Sequence, residues 1–264
     1  MELGHVVVLA GGLSYEREVS LRSGRRVADA LRSVDVPVEL RDADATLLDA
    51  LSHNPPDAVF PVLHGAAGED GSIRDVLELM GVPYVGARPD ACRVAWDKPS
   101  AKAVARRAGL GTPASVALPK EIFHDLGASS VMEHIVRRLG LPLSVKPTRG
   151  GSALGASIVQ EATELPAAMV GCFSYGDTEF VTPARLAPEA TERAAQAAVT
   201  AHRALGLRDL SRTDLIVDTD GEAHFLEVNV APGLTETSLF PLAVSAASLD
   251  LGTVCRDLLL ARFP

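Results

Sequence analysis

SRTDLIVDTDGEAHFLEVNVAPGLTETS (residues 211–238) is the stretch that decides the fold of the carboxyl-terminal part of the chain. Two runs with apolar residues at their centres, 214–220 and 223–229, are joined by a turn that contains Asp220-Gly221. Asp-Gly between two such runs is a strong signal for a β-hairpin. The stretch therefore predicts two antiparallel strands followed by a polar, Pro/Gly-containing loop.

Three polar residues of this hairpin could bind a metal ion. Glu227 and Asn229 are two positions apart on one predicted strand, so their side chains point to the same face. Asp214 begins the partner strand and could converge on that face. Two carboxylates and an amide oxygen suit Mg²⁺ beside nucleotide phosphates. Taken alone, Glu227 and Asn229 are more typical of a hairpin with solvated charges, and the surrounding pattern favours the metal site.

Two further features of the stretch favour the same chemistry. Arg212 lies two residues before Asp214, where its planar, bidentate guanidinium could reach the same phosphates. The loop 229–235 contains Pro232-Gly233, whose exposed backbone N–H groups could face a developing oxyanion. The hairpin and its loop are therefore a candidate site for phosphoryl or acyl transfer.

A second candidate segment is KPTRGGSALG (residues 146–155), which lies between predicted strands at 141–147 and 154–160. Lys146 closes an apolar strand, where a lone ammonium is costly to bury without a partner. Gly150-Gly151-Ser152 allows the backbone to approach a ligand and to direct N–H groups at phosphate. Most isolated Gly-rich loops are only tight turns, and the preceding lysine favours a phosphate site.

The amino-terminal region supplies two more candidates. HVVVLA (5–10) predicts a buried strand that runs into Gly11-Gly12 and then a helix over about 18–31. Glu16 could lie at the carboxyl end of the strand, where open α/β sheets bind ligands, or it could be a helix-start charge. His64 opens the Gly-rich loop LHGAAGEDG (63–71) and could serve a substrate site or be a satisfied structural histidine.

The alternation of strands and helices predicts an α/β fold in three parts. Strands at 36–40 and 58–63 and a helix at 73–80 indicate a parallel sheet covered on both faces, in a first domain over residues 1–95. Residues 96–170 predict a small α+β domain, and residues 171–264 a carboxyl-terminal α+β domain. The remaining predicted elements are helices at 97–108, 130–139, 164–170, 188–205, 239–247 and 249–263 and a strand at 114–118.

The composition restricts the functional classes. The chain has 264 residues, 47% of them hydrophobic, which is ordinary for an α/β protein with a full core. The formal net charge of −9 and the scattered basic residues argue against a nucleic-acid surface. No apolar run is long enough to span a bilayer, and no signal-peptide pattern is present. Three cysteines without a C-x-x-C pair favour a reduced, cytoplasmic protein with no membrane partner.

Together these segments resemble the D-alanine–D-alanine ligase family. The resemblance rests on GGLSYEREVSLRSG (11–24), LHGAAGEDGSIRDVLELMGVPYVG (63–86), KPTRGGSALG (146–155) and FLEVNVAPGLTETS (225–238), in this order and over nearly the whole chain. It implies the ATP-grasp fold and an ATP-dependent ligase. Such an enzyme phosphorylates the carboxylate of one D-alanine and lets the amine of a second displace phosphate, which forms a peptidoglycan precursor.

The resemblance also implies roles for individual residues and for two cofactors. ATP would bind through Lys98 and Lys146, and two Mg²⁺ ions, with Mn²⁺ as an alternative, through Asp214, Glu227 and Asn229. The first D-alanine would be held by Glu16, supported by Ser152 and Tyr175. Arg212 and the Gly233 backbone would stabilise the tetrahedral transition state. His64 would serve the substrate site, and Ser238 and Leu239 would bind the carboxylate of the second substrate. The resemblance also implies that the protein is a homodimer.

The chain departs from the family pattern where adenine is normally bound. The helix at 164–170 leads almost directly to FSYGDTEFVTPA (173–184), without the family's adenine-binding strand, so the central ATP-grasp sheet is expected to be shortened. Ser174 replaces the lysine usual before the tyrosine, and Gly150 stands where an acidic residue is common. The sequence leaves open a working ligase, a relative that binds a D-amino acid or nucleotide without turnover, and a degenerate or truncated product.

Overall fold

The computed structural model describes residues 3–150, 156–171, 184 and 186–263. Two predicted site residues, Ser152 and Tyr175, lie outside this part of the chain. Among the described residues, no single helix is long and apolar enough to cross a membrane, and only one pair of helices, bent by 104° at its break, has the length and composition to do so together.

The amino-terminal part contains a three-stranded parallel sheet with the order β2-β1-β3. Its strands are β1 (Val6–Ala10), β2 (Val38–Asp42) and β3 (Ala58–Pro61). The helices of this part are α1 (Arg17–Arg32), α2 (Leu47–His53), α3 (Ala66–Glu69), α4 (Ser72–Leu79) and α5 (Pro89–Trp96). The parallel sheet predicted from the strand–helix alternation is confirmed.

The central strand β1 is buried on both faces, as its unbroken apolar run requires. Val6 and Val8 pack into one core with residues of α1, while Val7 and Leu9 pack into another with residues of α2 and α4. Because successive side chains of a strand point to opposite faces, these four residues can pack into two cores at once.

The middle part consists of helices around a short antiparallel hairpin. Its helices are α6 (Lys98–Arg107), α7 (Lys120–Asp125), α8 (Ala128–Leu139) and α9 (Leu165–Gly171), and its strands are β4 (Leu143–Val145) and β5 (Ser157–Val159). Asp97 caps α6 by accepting a hydrogen bond from the Ser100 backbone N–H at 3.1 Å. The hairpin predicted around residues 146–155 is confirmed.

The strand predicted at 114–118 is wrong. This segment has no strand partner among the described residues, and its side chains are mostly exposed. Only Gly111, just before it, forms an isolated bridge, accepting a hydrogen bond from the Phe225 backbone N–H at 2.8 Å. Pro113 and Pro119 flank the segment, and prolines keep the chain extended without donating to a ladder.

The carboxyl-terminal part is built on the hairpin that the opening stretch predicts. It contains α10 (Pro188–Ala204), β6 (Arg212–Val217), β7 (Ala223–Asn229), α11 (Leu239–Ala246) and α12 (Leu251–Leu260). Helices α6 and α10 pack against the hairpin around Phe225, which is fully buried. Helix α12 packs on α1, far away in sequence, and adds Cys255 and Leu259 to the core below β1.

Candidate functional site

The hairpin β6–β7 presents its polar residues on one face. Asp214 pairs directly with Glu227, and Arg212 pairs directly with Asn229. Residues directly opposite each other on antiparallel strands have neighbouring side chains, and residues two apart on one strand share a face. These four side chains therefore form one polar surface. Strand β6 begins at Arg212, two residues earlier than predicted, so Arg212 is part of the ladder.

A β-bulge makes this polar face compatible with the core behind it. The register shifts between Asp214 and Leu215, so that Leu215 pairs with Phe225 and Leu226 is the extra residue of β7. Without the bulge, the period of two would place Phe225 on the same face as Glu227. With it, Phe225 and Val228 both enter the core, and Glu227 faces the cavity.

Two lysines from different parts of the chain meet Glu227. Lys146 follows β4, and its Nζ donates to Glu227 Oε2 at 2.9 Å. Lys98 begins α6, and its Nζ lies 3.5 Å from the same oxygen and donates to the Gly150 carbonyl at 2.6 Å. Burial by itself would raise the pKa of Glu227, but the two ammonium groups outweigh burial and hold that pKa below its usual value. Lys146, directly after β4, thus has in Glu227 the charged partner that its partial burial requires.

The other residues of the polar face also have partners. The guanidinium of Arg212 donates to both oxygens of Asp214, at 2.8 and 2.9 Å. The side-chain oxygen of Asn229 accepts a hydrogen bond from the Ala231 backbone N–H at 2.7 Å. The carboxylates and the amide are therefore already bound to groups of this chain. A phosphate or a cation that enters the cavity would compete with these internal contacts.

The loop after β7 is shaped by a close approach of Ser238 to Gly233. A Cβ atom on Gly233 would lie 2.6 Å from Ser238 Oγ, so a larger residue at this position would require the Ser238 side chain to move. Ser238 Oγ also accepts a hydrogen bond from the Thr235 backbone N–H at 3.1 Å. Ser238 directly precedes α11, and the loop brings the Gly233 backbone, Ser238 and Leu239 to one side of the cavity.

His64 connects the loop after β3 to the loop after β7. Its Nδ1 lies 3.1 Å from the Ala231 carbonyl oxygen, and its Nε2 lies 3.2 Å from Ser23 Oγ. The Leu234 backbone N–H also donates to Ser23 Oγ, at 3.2 Å. Burial lowers the pKa of His64, so the neutral ring is favoured, with Nδ1 as donor and Nε2 as acceptor. The structural role considered for this histidine is therefore present, at the edge of the cavity.

Glu16 lies just before α1, at the carboxyl end of β1. The adjoining loop is fixed by Asp42, whose Oδ1 accepts hydrogen bonds from the Gly12 backbone N–H at 3.0 Å and from Arg17 Nη1 at 2.9 Å. A Cβ atom on Gly65 would lie 3.2 Å from Glu16 Oε2, so the Glu16 carboxylate sits against the loop that follows β3.

All predicted site residues in the described part of the chain line one cavity of about 710 Å³. They are Glu16, His64, Lys98, Lys146, Arg212, Asp214, Glu227, Asn229, Gly233, Ser238 and Leu239. They come from all three parts of the fold. The structure therefore brings together residues that the sequence separates by more than 200 positions.

One buried residue of the cavity, Glu69, was not among the predicted site residues. It belongs to the Gly-rich loop 63–71, from which only His64 was selected. A carboxylate in a Gly-rich loop at the end of a buried strand was the available signal. The sequence could not show that this side chain is buried, since Ala66 and Ala67 of the same loop are exposed whereas Gly68 and Glu69 are buried.

The oxygen donors of the cavity fit a divalent cation that is shared with phosphates. Asp214 and Glu227 are adjacent across the ladder, and Asn229 follows on the same face. Carboxylate and amide oxygens are the ligands that Mg²⁺ prefers, and Mg²⁺ in nucleotide sites takes only one or two carboxylates from the protein. Among the described residues, no group of three or more His, Cys, Asp or Glu side chains is arranged to hold a metal ion.

Comparisons with known proteins agree with this architecture. The structure matches the VanG D-Ala:D-Ser ligase from Enterococcus faecalis with a TM-score of 0.81 and 25% identity, covering 99% of this chain and 100% of that chain. It matches a D-alanine–D-alanine ligase from Bacillus anthracis, solved in complex with ATP, with a TM-score of 0.80 and 25% identity, covering 98% and 96% of the two chains. The fold is thus that of the ATP-grasp ligases.

The sequence comparisons define the family. The family model for the D-ala D-ala ligase N-terminus matches residues 41–87, and that for the C-terminus matches residues 104–181 and 172–260. D-alanine–D-alanine ligase B from Chromobacterium violaceum is 35% identical over 98% of this chain and 97% of its own length. This chain belongs to the D-alanine–D-alanine ligase family.

These matches also agree with the shortened segment expected from the sequence. The alignment with the Chromobacterium violaceum protein spans 303 positions and this chain has 264 residues, so at least 39 positions have no residue here. The C-terminal family model matches in two pieces that meet at residues 172–181. The same residues begin the segment at which the sequence predicts the absence of the family's adenine-binding strand.

Proposed function

We propose that this protein is an ATP-dependent ligase that joins two D-alanine molecules through an acyl phosphate. One observation carries this proposal: cations, carboxylates and backbone donors from distant parts of the chain line a single cavity of about 710 Å³. Phosphoryl transfer needs positioning and neutralisation of charge more than covalent participation by the protein. The relatives that the chain matches are D-alanine–D-alanine ligases.

In this proposal the hairpin and the two lysines bind the phosphates of ATP. Lys98 and Lys146 exchange the Glu227 carboxylate for phosphate oxygens, and Glu227 becomes available as a metal ligand with Asp214 and Asn229. Two Mg²⁺ ions bound there would neutralise charge on the phosphates during transfer. The proximity of both lysines to one oxygen of Glu227, at 2.9 and 3.5 Å, supports this exchange.

The substrate residues act around the carboxylate that receives the phosphate. Glu16 holds the ammonium group of the first D-alanine, with Ser152 and Tyr175 as supporting residues. Arg212 and the Gly233 backbone N–H stabilise the negative charge that develops when an amine attacks the acyl phosphate. These roles stay a proposal that rests on the family resemblance and on the cavity.

The second substrate is proposed to bind beside α11. Ser238 and Leu239 receive its carboxylate, and His64 fixes the loop on which they depend through Ala231 and Leu234. D-alanine is the first candidate. One structural relative is a D-Ala:D-Ser ligase, so D-serine and a D-hydroxy acid are the alternatives to test.

The direct test is turnover by the purified chain. With ATP, Mg²⁺ and D-alanine, we expect ADP, phosphate and D-alanyl-D-alanine in equal amounts. The Glu227→Ala variant should release no ADP because it lacks a ligand of the metal that neutralises the phosphates. Wild-type-like ADP production by this variant would falsify the metal assignment. ATP binding without any D-alanine-dependent ADP release would overturn the ligase proposal itself.

Two broader predictions remain part of the proposal. The division into domains at residues 1–95, 96–170 and 171–264 can be checked by native-state hydrogen exchange, in which each range should lose protection as a unit. The family resemblance predicts a homodimer, which light scattering after size-exclusion chromatography would measure directly.

A further inference from the structure

Glu69 and Glu16 both lie beside Gly65 and line the cavity. The Gly65 backbone N–H donates to Glu69 Oε1 at 3.0 Å, and Glu16 Oε2 is 3.2 Å from the place that a Cβ atom on Gly65 would occupy. Both side chains line the cavity, and Glu69 is only 4% exposed. The proposed reaction brings two amino acids into this cavity, each with one ammonium group, and Glu16 accounts for only one of them.

The surroundings hold Glu69 in a fixed position. Glu69 ends the short helix α3, and the Arg74 guanidinium, which is buried in α4, donates to the Gly68 carbonyl directly before it. A Cβ atom on Gly68 would lie 2.1 Å from the Leu63 carbonyl oxygen, so the loop can close only with glycine there. These contacts fix the backbone that carries Glu69, and the Gly65 N–H binds its carboxylate.

The other acidic and basic groups of the cavity are less suited to accept a proton. Asp214 is bound by Arg212 through both oxygens, and Glu227 is bound by two ammonium groups that keep it ionised. Both ring nitrogens of His64 already have partners.

Glu69, by contrast, has a proton affinity suited to the task. Burial, with a smaller contribution from the nearby Glu16 carboxylate, raises the pKa of Glu69 to about 7, against the opposing effects of the Gly65 N–H, Arg212 and Arg74. A general base works best when its pKa lies near the pH at which the enzyme operates.

We propose that Glu69 is the general base that takes a proton from the ammonium group of the second amino acid. This inference rests on the proposed function. The ammonium nitrogen has no free electron pair, so it must lose one of its three protons, to Glu69, before it can attack. The resulting amine forms a C–N bond to the acyl phosphate carbon, and the C–O bond to phosphate then breaks. The departing phosphate takes the second proton, and the amide nitrogen keeps the third.

The test compares two acceptors in the Glu69→Gln variant. D-alanine as acceptor requires deprotonation, whereas hydroxylamine is largely unprotonated at neutral pH and attacks an acyl phosphate without a base. Glutamine keeps an oxygen for the Gly65 N–H. We expect dipeptide formation to fall about 10²–10⁴-fold, the usual contribution of a general base, and hydroxamate formation with excess hydroxylamine to stay within a few-fold of wild type. Asp75→Asn, at a partly exposed position on α4 outside the cavity, is the matched control.

The pH profile gives a second readout that needs no variant. In the wild type, kcat for dipeptide formation should rise with pH through about 7, as Glu69 loses its proton, while hydroxamate formation should lack this rise. Equal losses of both products in Glu69→Gln, or the same pH profile for both acceptors in the wild type, would overturn the role of Glu69. A wild-type chain that forms neither product would overturn the proposed function as well, and the two failures are therefore distinguishable.

Discussion

Replacing Glu227 by Gln removes the negative charge that two lysines share. Glu227 Oε2 lies 2.9 Å from Lys146 Nζ and 3.5 Å from Lys98 Nζ. At the shorter distance and an effective dielectric constant of about 20, the attraction of one unit-charge pair is roughly 6 kcal/mol. Much of this is offset by the desolvation of the three groups, and removal of one partner from a fully buried pair costs about 3–5 kcal/mol.

The three side chains keep some contact with solvent, between 12% and 27% of their surface. We therefore expect the free energy of unfolding to fall by about 1–3 kcal/mol, less than for a fully buried pair. The pKa of Glu227 is lower in the folded than in the unfolded protein, so its contribution is present above the ordinary glutamate pKa of 4.5 and is lost as the pH falls through the folded value. The difference between wild type and variant should shrink in acid.

Urea unfolding, followed by circular dichroism from neutral to acidic pH, measures this difference. Glu192→Gln, at an exposed position on α10, is the control and should leave the unfolding free energy unchanged at every pH. ADP production by Glu227→Gln should fall at least about 100-fold, because a metal ligand contributes several kcal/mol of transition-state charge stabilisation. A variant as stable as wild type at neutral pH, with undiminished ADP production, would refute both the ion cluster and the metal assignment.

Three further predictions concern other parts of the molecule. The folded pKa of Glu69, about 7, is higher than the unfolded value of 4.5, so its contribution to stability is lost as the pH rises between these values. Over this interval the free energy of unfolding of Glu69→Gln should therefore increase by roughly 3 kcal/mol relative to that of wild type, which urea unfolding at pH 5 and pH 8 would measure. A difference between variant and wild type that does not depend on pH would contradict this prediction. Phe225→Ala should lose about 3–5 kcal/mol of unfolding free energy, because Phe225 is fully buried behind the polar face of the hairpin, and an unchanged urea midpoint would place this side chain elsewhere. The Michaelis constant for ATP should exceed that of family members that contain the adenine-binding strand, assayed in parallel, because adenine contacts supply ground-state affinity; an equal value would mean that another segment binds the base.

The amino-acid sequence determined the local elements and predicted residues that line the cavity. The buried strand at 5–10, the helix from Lys98 and the hairpin at 212–229 follow from apolar runs, glycines and caps, whose effects extend over only a few residues. The same local reasoning failed at 114–118, because an extended apolar segment becomes a strand only where a partner strand lies beside it.

The tertiary structure decided how these elements meet. The bulge at Leu226 turns Phe225 into the core while Glu227 keeps its place in the cavity, and only the packing of α6 and α10 on the hairpin makes that register favourable. The pairing of Lys98 and Lys146 with one carboxylate, the packing of α12 on α1 and the burial of Glu69 likewise join residues far apart in sequence. Burial and charge compensation depend on all the neighbours of a side chain at once, and sequence periodicity describes only those on its own helix or strand.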